Sequence, residues 1–138
     1  MTISASESVD QPIRTDDEIL ARVDALIGRA CRRQFWLLFL DRDDRQVPVL
    51  LPIEDYPSTP YGGSAEYIAM RIGEITASTD AARVVIVWER RLGPATTEAD
   101  RVWARELGAA CAAEDVSVRA QVISHRDGVR WFAADDYA

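Results

Sequence analysis

The sequence predicts one α/β domain of the α+β kind, in which helices flank a mixed β-sheet. The chain has 138 residues, the usual length of one domain. Hydrophobic residues make up 48% of it and charged residues 28%, a composition that supports a folded core. Segments with helical spacing alternate with short apolar segments in the order α-β-β-α-β-α-β-β, which indicates a sheet with helices on both sides.

The chain is expected to begin with a loose tail and a capped helix. Residues 1–14 are polar and lack periodicity, so we expect a disordered tail before a domain spanning 15–134. Thr15 and Glu18 form a capping-box pattern, in which each side chain bonds the other residue's backbone N–H. The apolar residues behind them recur at helical spacing and predict a helix over about 16–32.

A hairpin and a second helix follow. The apolar and aromatic run 35–40 is too short for a helix and predicts a strand buried on both faces. Its return strand is expected over 46–51, with Pro48 indicating a sheet edge or a bulge. Ser64 is the predicted N-cap of a helix that ends near Ser78.

The last third of the sequence predicts a strand, a third helix and a closing hairpin. The strand is expected over 83–88, and the helix that follows it is expected to be capped by Thr97 and Asp100. The two strands of the hairpin are expected over 116–123 and 129–132, joined by the Asp127-Gly128 turn. The acidic end, 135–138, is expected to be frayed.

Charge and composition exclude several classes of function. The chain has 23 acidic and 16 basic residues, a net charge of −7, which argues against binding nucleic acids or anionic membranes. All the basic residues are arginine, so Schiff-base lysine chemistry and a P-loop lysine are excluded. No apolar run reaches the roughly 20 residues of a membrane helix, and the first residues lack signal-peptide order, so we expect a cytoplasmic protein.

The residues that most often carry catalysis or bind metals are scarce. His125 is the one histidine, which excludes sites that need two imidazoles, and it is expected to be a solvated turn residue. Cys31 and Cys111 lie too far apart for a zinc knuckle and are expected to be free, buried thiols. No metal or cofactor is therefore expected. The tryptophans are expected to pack in the core: Trp36, Trp88, Trp103 and Trp131.

Residues 84–100, VVIVWERRLGPATTEAD, resemble the metal-site segment of the JAB/MPN metalloprotease family, most closely its RadC-like branch. That family has the spacing H-x-H-x₇-S-x₂-D, from a strand to the start of a helix. The matching positions here, in order, are Val87, Glu89, Thr97 and Asp100. The order of hairpins and helices extends the resemblance over about 33–133 and implies a JAB/MPN-like, cytidine-deaminase-like core.

The departures from the family pattern predict that the hydrolase site is vestigial. Active members hold Zn²⁺ with two histidines and an aspartate, whereas Val87 offers no ligand atom. Glu89 and Asp100 would supply at most two oxygen ligands, and the catalytic glutamate of the family has no clear counterpart. Strand alternation places Val85, Val87 and Glu89 on one face, and Thr97 and Asp100 are expected to cap each other.

The resemblance implies a non-catalytic JAB/RadC-like domain, a pseudoenzyme that serves as a scaffold or binds another protein or a second copy of itself. The candidate contact residues lie in two loops and are Tyr56, Tyr61, Arg90 and Arg91. The alternative is a repurposed, metal-independent pocket around Glu89, Thr97 and Asp100 that binds or hydrolyses a small ligand. A third hypothesis, a DNA-associated accessory protein, conflicts with the acidic charge.

Overall fold

The computed structural model of the chain describes residues 12–28, 30 and 32–137, and it has the α+β architecture that the sequence predicts. In chain order the elements are α1 (Asp16–Leu26), β1 (Gln34–Asp41), β2 (Gln46–Ile53), α2 (Ser64–Ser78), β3 (Ala81–Glu89), α3 (Glu98–Ala113), β4 (Val118–His125), β5 (Gly128–Trp131) and α4 (Ala134–Tyr137). The predicted order of elements is present, and the short helix α4 follows it.

Five strands form one mixed sheet in the order β2-β1-β3-β4-β5. β3 and β4 are parallel, and the three remaining neighbouring pairs, β1–β2, β1–β3 and β4–β5, are antiparallel. Helix α3 makes the crossover that a parallel pair requires. The carboxyl ends of β3 and β4 consequently lie at the same edge of the sheet, where α/β proteins commonly bind ligands.

The sheet is buried on both faces, so each face has its own core. One core packs against α2 and α3 and includes Phe35, Ile86 and Trp103. The other packs against α1 and includes Leu38 and Val87. The predicted burial of β1 on both faces is confirmed, because its neighbouring residues belong to opposite cores.

The N-terminal predictions need two corrections. Helix α1 ends at Leu26, short of the predicted residue 32, and Gly28 follows it with a φ of +71°, a conformation that ends helices. Residues 1–11 of the predicted tail lie outside the described residues. The prediction of a loose tail is wrong for Ile13, which is 1% exposed and whose N–H donates to the carbonyl of Asp44. The prediction for Cys31 lies outside the described residues.

Two other predicted ends differ. The N-cap of α2 is Gly63, with a φ of +81° and no side-chain cap bond, whereas Ser64 is the first helical residue. The C-terminus is not frayed at residues 135–137, because α4 forms there and the Tyr137 ring packs edge-on to Phe132. The Pro48 prediction is confirmed, since β2 is an edge strand with irregular register beside that residue.

Across the described ranges, 12–28, 30 and 32–137, no helix combines the length and apolar character needed to cross a membrane.

Candidate functional site

At the end of β3, the side chains of Val87 and Glu89 lie on the face of the sheet that packs against α1. These are the two residues at the positions of the histidines in the JAB/MPN pattern. Val87 is fully buried in the core beneath α1. Glu89 is 3% exposed, and its carboxylate accepts bonds from Gln34 Nε2 at 2.7 Å, Trp36 Nε1 at 2.8 Å and the Arg32 backbone N–H at 3.0 Å. The predicted alternation of this strand is confirmed, and Glu89 holds the start of β1 against the end of β3.

Thr97 and Asp100 cap the start of α3, as predicted. The Thr97 hydroxyl accepts from the Asp100 backbone N–H at 3.2 Å, and the Asp100 carboxylate accepts from the Thr97 backbone N–H at 2.8 Å. Asp100 also forms an ion pair with Arg90 at 3.2 Å. α3 packs on the opposite face from Glu89, so the alternative pocket that joins Glu89 with Thr97 and Asp100 is not assembled.

Arg90 organises the loop between β3 and α3. Its guanidinium is buried, and Nη2 donates to the carbonyls of Gly93 and Ala95. Its backbone N–H donates to the Ser124 carbonyl, which extends the pairing of β3 with β4. Within the described part of the chain, Nε donates to no partner and Nη1 has only the ion pair with Asp100. A buried cation with incomplete hydrogen bonding therefore lies beside the start of α3.

A cavity of about 230 Å³ opens where β3 ends and α3 begins. The buried side chains of Trp88, Arg90 and Trp103 form its floor. Its exposed lining residues, which form the rim, include Arg33, Ser58 and Arg91. The cavity thus combines aromatic walls with three guanidinium groups.

Tyr56 forms one wall of the cavity and is fixed by Arg33. The Arg33 guanidinium lies 3.7 Å from the centre of the Tyr56 ring and donates to the carbonyls of Tyr56 and Pro57 at 2.6 and 2.9 Å. Trp103 Nε1 donates to the same Pro57 carbonyl at 2.8 Å. These bonds hold the loop after β2 over the start of α3.

Electrostatics keep the Tyr56 hydroxyl protonated. Burial is the main cause that raises the pKa of Tyr56 to about 12; the negative charge of Asp100 acts in the same direction, and Arg33 and Arg90 oppose it. The hydroxyl therefore carries its proton throughout the physiological range and is available as a donor.

Three of the predicted contact residues, Tyr56, Arg90 and Arg91, line this one cavity. Tyr61 is 69% exposed in the same loop as Tyr56 but lies outside the lining. Arg33 also lines the cavity, and nothing in the sequence singles it out. No local pattern identifies it, because its place depends on the long-range pairing of the start of β1 with the end of β3.

The remaining titratable candidates, His125 and Cys111, lie outside the lining of this cavity. His125 is 8% exposed, against the prediction of a solvated turn residue, and its backbone carbonyl accepts from the Ala30 N–H. Burial lowers the pKa of His125, which keeps the imidazole neutral at pH 7, and its Nδ1 accepts from the Asp127 N–H. Cys111 is a fully buried free thiol, as predicted, and burial raises its pKa to about 11.

No group of three histidine, cysteine, aspartate or glutamate side chains is placed to hold a metal ion among the described residues. Comparison with protein-family models finds no match for this chain, and a search of curated proteins finds none either. The JAB/MPN resemblance of residues 84–100 therefore stays a prediction.

Proposed function

We propose that this protein is a non-catalytic binding module that docks another protein over the cavity at the end of β3. The observation that carries the proposal is the meeting of Tyr56, Arg90 and Arg91 at one cavity beside exposed loops. The two loops come from distant parts of the sequence, and the loop that carries Tyr56 is held by Arg33, just before β1, and by Trp103 of α3. A preformed, tethered surface of this kind loses little conformational entropy when a partner binds.

The residue chemistry favours binding over hydrolysis. Val87 has no ligand atom, and the Glu89 carboxylate is occupied by three donors from the start of β1. Asp100 is occupied by the helix cap and by Arg90. We therefore propose that the chain is a JAB/MPN-like, RadC-like domain in which the hydrolase site has been replaced by structural bonds. The free Cys111 thiol supports a reducing compartment, and we propose the cytoplasm.

The size of the cavity favours one anchor group over a cofactor. Sites for drug-sized ligands usually enclose about 300–1,000 Å³, whereas this cavity encloses about 230 Å³. Protein interfaces commonly place one aromatic or charged anchor in a central pocket and surround it with weaker contacts. The exposed side chains of Leu92 and Tyr61 are suited to those surrounding contacts.

The non-catalytic part of the proposal predicts that purified protein holds well under one equivalent of zinc and cleaves no isopeptide bond. Elemental analysis and an isopeptide substrate measure these two properties. Stoichiometric zinc that is lost in Asp100→Ala would contradict the proposal. The control is Glu98→Ala, which changes an exposed carboxylate in the same helical turn and leaves the capping pair intact.

The docking part predicts position-dependent cross-linking. A photoreactive benzoylphenylalanine at Tyr61 or Leu92 is expected to form an adduct with a protein partner in the cells that naturally produce this chain. The matched control is Ala82, an exposed residue at the other end of β3. Strand geometry places it about 25 Å from the end of β3 that borders the cavity. An adduct with a second copy of the chain would identify a homodimer as the docked state. Equal labelling from all three positions, or none, would overturn the proposal.

A further inference from the structure

We infer that the cavity receives a carboxylate carried by a flat apolar group, as at the end of a protein chain whose last residue is aromatic. The inference rests on the proposed docking function and names the chemistry of the docked group.

The excess of positive charge among the residues that line the cavity favours an anionic ligand. Arg33, Arg90 and Arg91 line it against one carboxylate, that of Asp100, which already pairs with Arg90. Neither Arg33 nor Arg91 forms a salt bridge with any carboxylate in the part of the chain that the structure describes. The cavity is therefore a positive site on a chain of net charge −7. The positive end of the α3 dipole adds to this field.

The aromatic walls of the cavity favour a ligand with an apolar ring. Trp88 Nε1 already donates to Gln121 at 2.6 Å and Trp103 Nε1 to Pro57 at 2.8 Å, so both indoles offer the cavity ring surface and no free donor. The Tyr56 ring lies 6.0 and 5.3 Å from them, centre to centre, so the three rings pack against one another and form a continuous aromatic wall. A cavity of about 150 Å³ is enough to hold benzene, so the volume here also leaves room for a carboxylate.

Two other ligand classes fit less well. Aromatic enclosures often bind quaternary ammonium groups, but the buried guanidinium of Arg90 would repel a cation at this position. A phosphate carries up to two negative charges at neutral pH, and the nearby Asp100 carboxylate would oppose the second. A carboxylate has one charge and can accept hydrogen bonds from the rim arginines and the protonated Tyr56 hydroxyl.

Titration with matched peptides tests the inference, with tryptophan fluorescence as the readout. The probe is a six-residue glycine-serine peptide ending in phenylalanine with a free carboxylate, and its partner has a C-terminal amide. We expect the acid to bind about tenfold or more tightly than the amide, as for loss of a charge-assisted hydrogen bond. Arg91→Gln should weaken binding of the acid similarly, whereas Arg42→Gln, on the exposed β1–β2 turn, should not change it.

The arms of the experiment separate the outcomes. Equal affinity for acid and amide, or preference for a peptide with trimethyl-lysine, would overturn the carboxylate inference while cross-linking at Tyr61 still supports docking. N-acetyl-phenylalanine binding as tightly as the peptide would support the carboxylate chemistry but assign it to a free small molecule. That result, combined with no cross-linking, would overturn the proposed docking function alone.

Discussion

Replacement of Trp103 by alanine is expected to lower the free energy of unfolding by about 4 kcal/mol. Trp103 is 1% exposed and among the largest fully buried side chains of the described chain. Its ring packs against Tyr56 at 5.3 Å and Trp88 at 6.2 Å, and its Nε1 holds the Pro57 carbonyl. Truncation would remove apolar contacts, open a cavity beside the existing one and release the loop that carries Tyr56.

Urea denaturation followed by far-ultraviolet circular dichroism measures this loss. Domains of this size are usually stable by only about 5–15 kcal/mol, so the alanine variant is expected to be marginal. Trp103→Phe retains most of the ring surface and is expected to lose about 2 kcal/mol. A loss under about 1 kcal/mol in the alanine variant would show that Trp103 does not anchor the site.

Local chemistry made much of the fold predictable. The two capping boxes, at Thr15 and Thr97, depend on residues three positions apart, and both are present in the structure. The alternation along β3 depends only on strand geometry, and it placed Val87 and Glu89 on the same face correctly. Such features need no knowledge of distant contacts.

The errors arose where distant segments meet or where two local signals compete. Ile13 lies in a polar segment but is buried because the β1–β2 turn bonds its backbone. Ser64 and Gly63 are both acceptable N-caps, and the left-handed backbone at Gly63 decides between them. His125 is the last residue of β4 and precedes a turn, yet it is 8% exposed and its carbonyl accepts from the distant Ala30 N–H.

The candidate site was only partly predictable for the same reason. Arg90 and Arg91 could be named because they follow a predicted strand, and Tyr56 because it lies in a loop rich in proline. Their meeting depends on Arg33, whose position is fixed by the antiparallel pairing of β1 with β3. The sequence predicts that Trp88 packs in the core; the structure confirms this and also places Trp88 at the floor of the cavity.

Glu89 illustrates how a residue aligned with a metal-ligand position can have a structural use. Its carboxylate is 3% exposed and accepts from a side-chain amide, an indole and a backbone N–H, all from residues 32–36. Removal of a buried acceptor leaves its donors without the water or protein partners they had, which costs about 1–3 kcal/mol for each donor. Glu89 should therefore matter for stability whether or not the cavity on the opposite face is occupied.

Replacement of Glu89 by alanine is accordingly expected to cost about 3 kcal/mol or more in the free energy of unfolding, measured by the same urea titration. Glu89→Gln keeps an oxygen acceptor but turns an amide donor towards the remaining donors, so an intermediate loss is expected. The matched control is Glu106→Ala, a half-exposed carboxylate on α3, which should change stability by less than about 0.5 kcal/mol. If Glu89→Ala were as stable as the parent, residues 32–36 would have other acceptors. That result would contradict the structural role assigned to the Glu89 carboxylate.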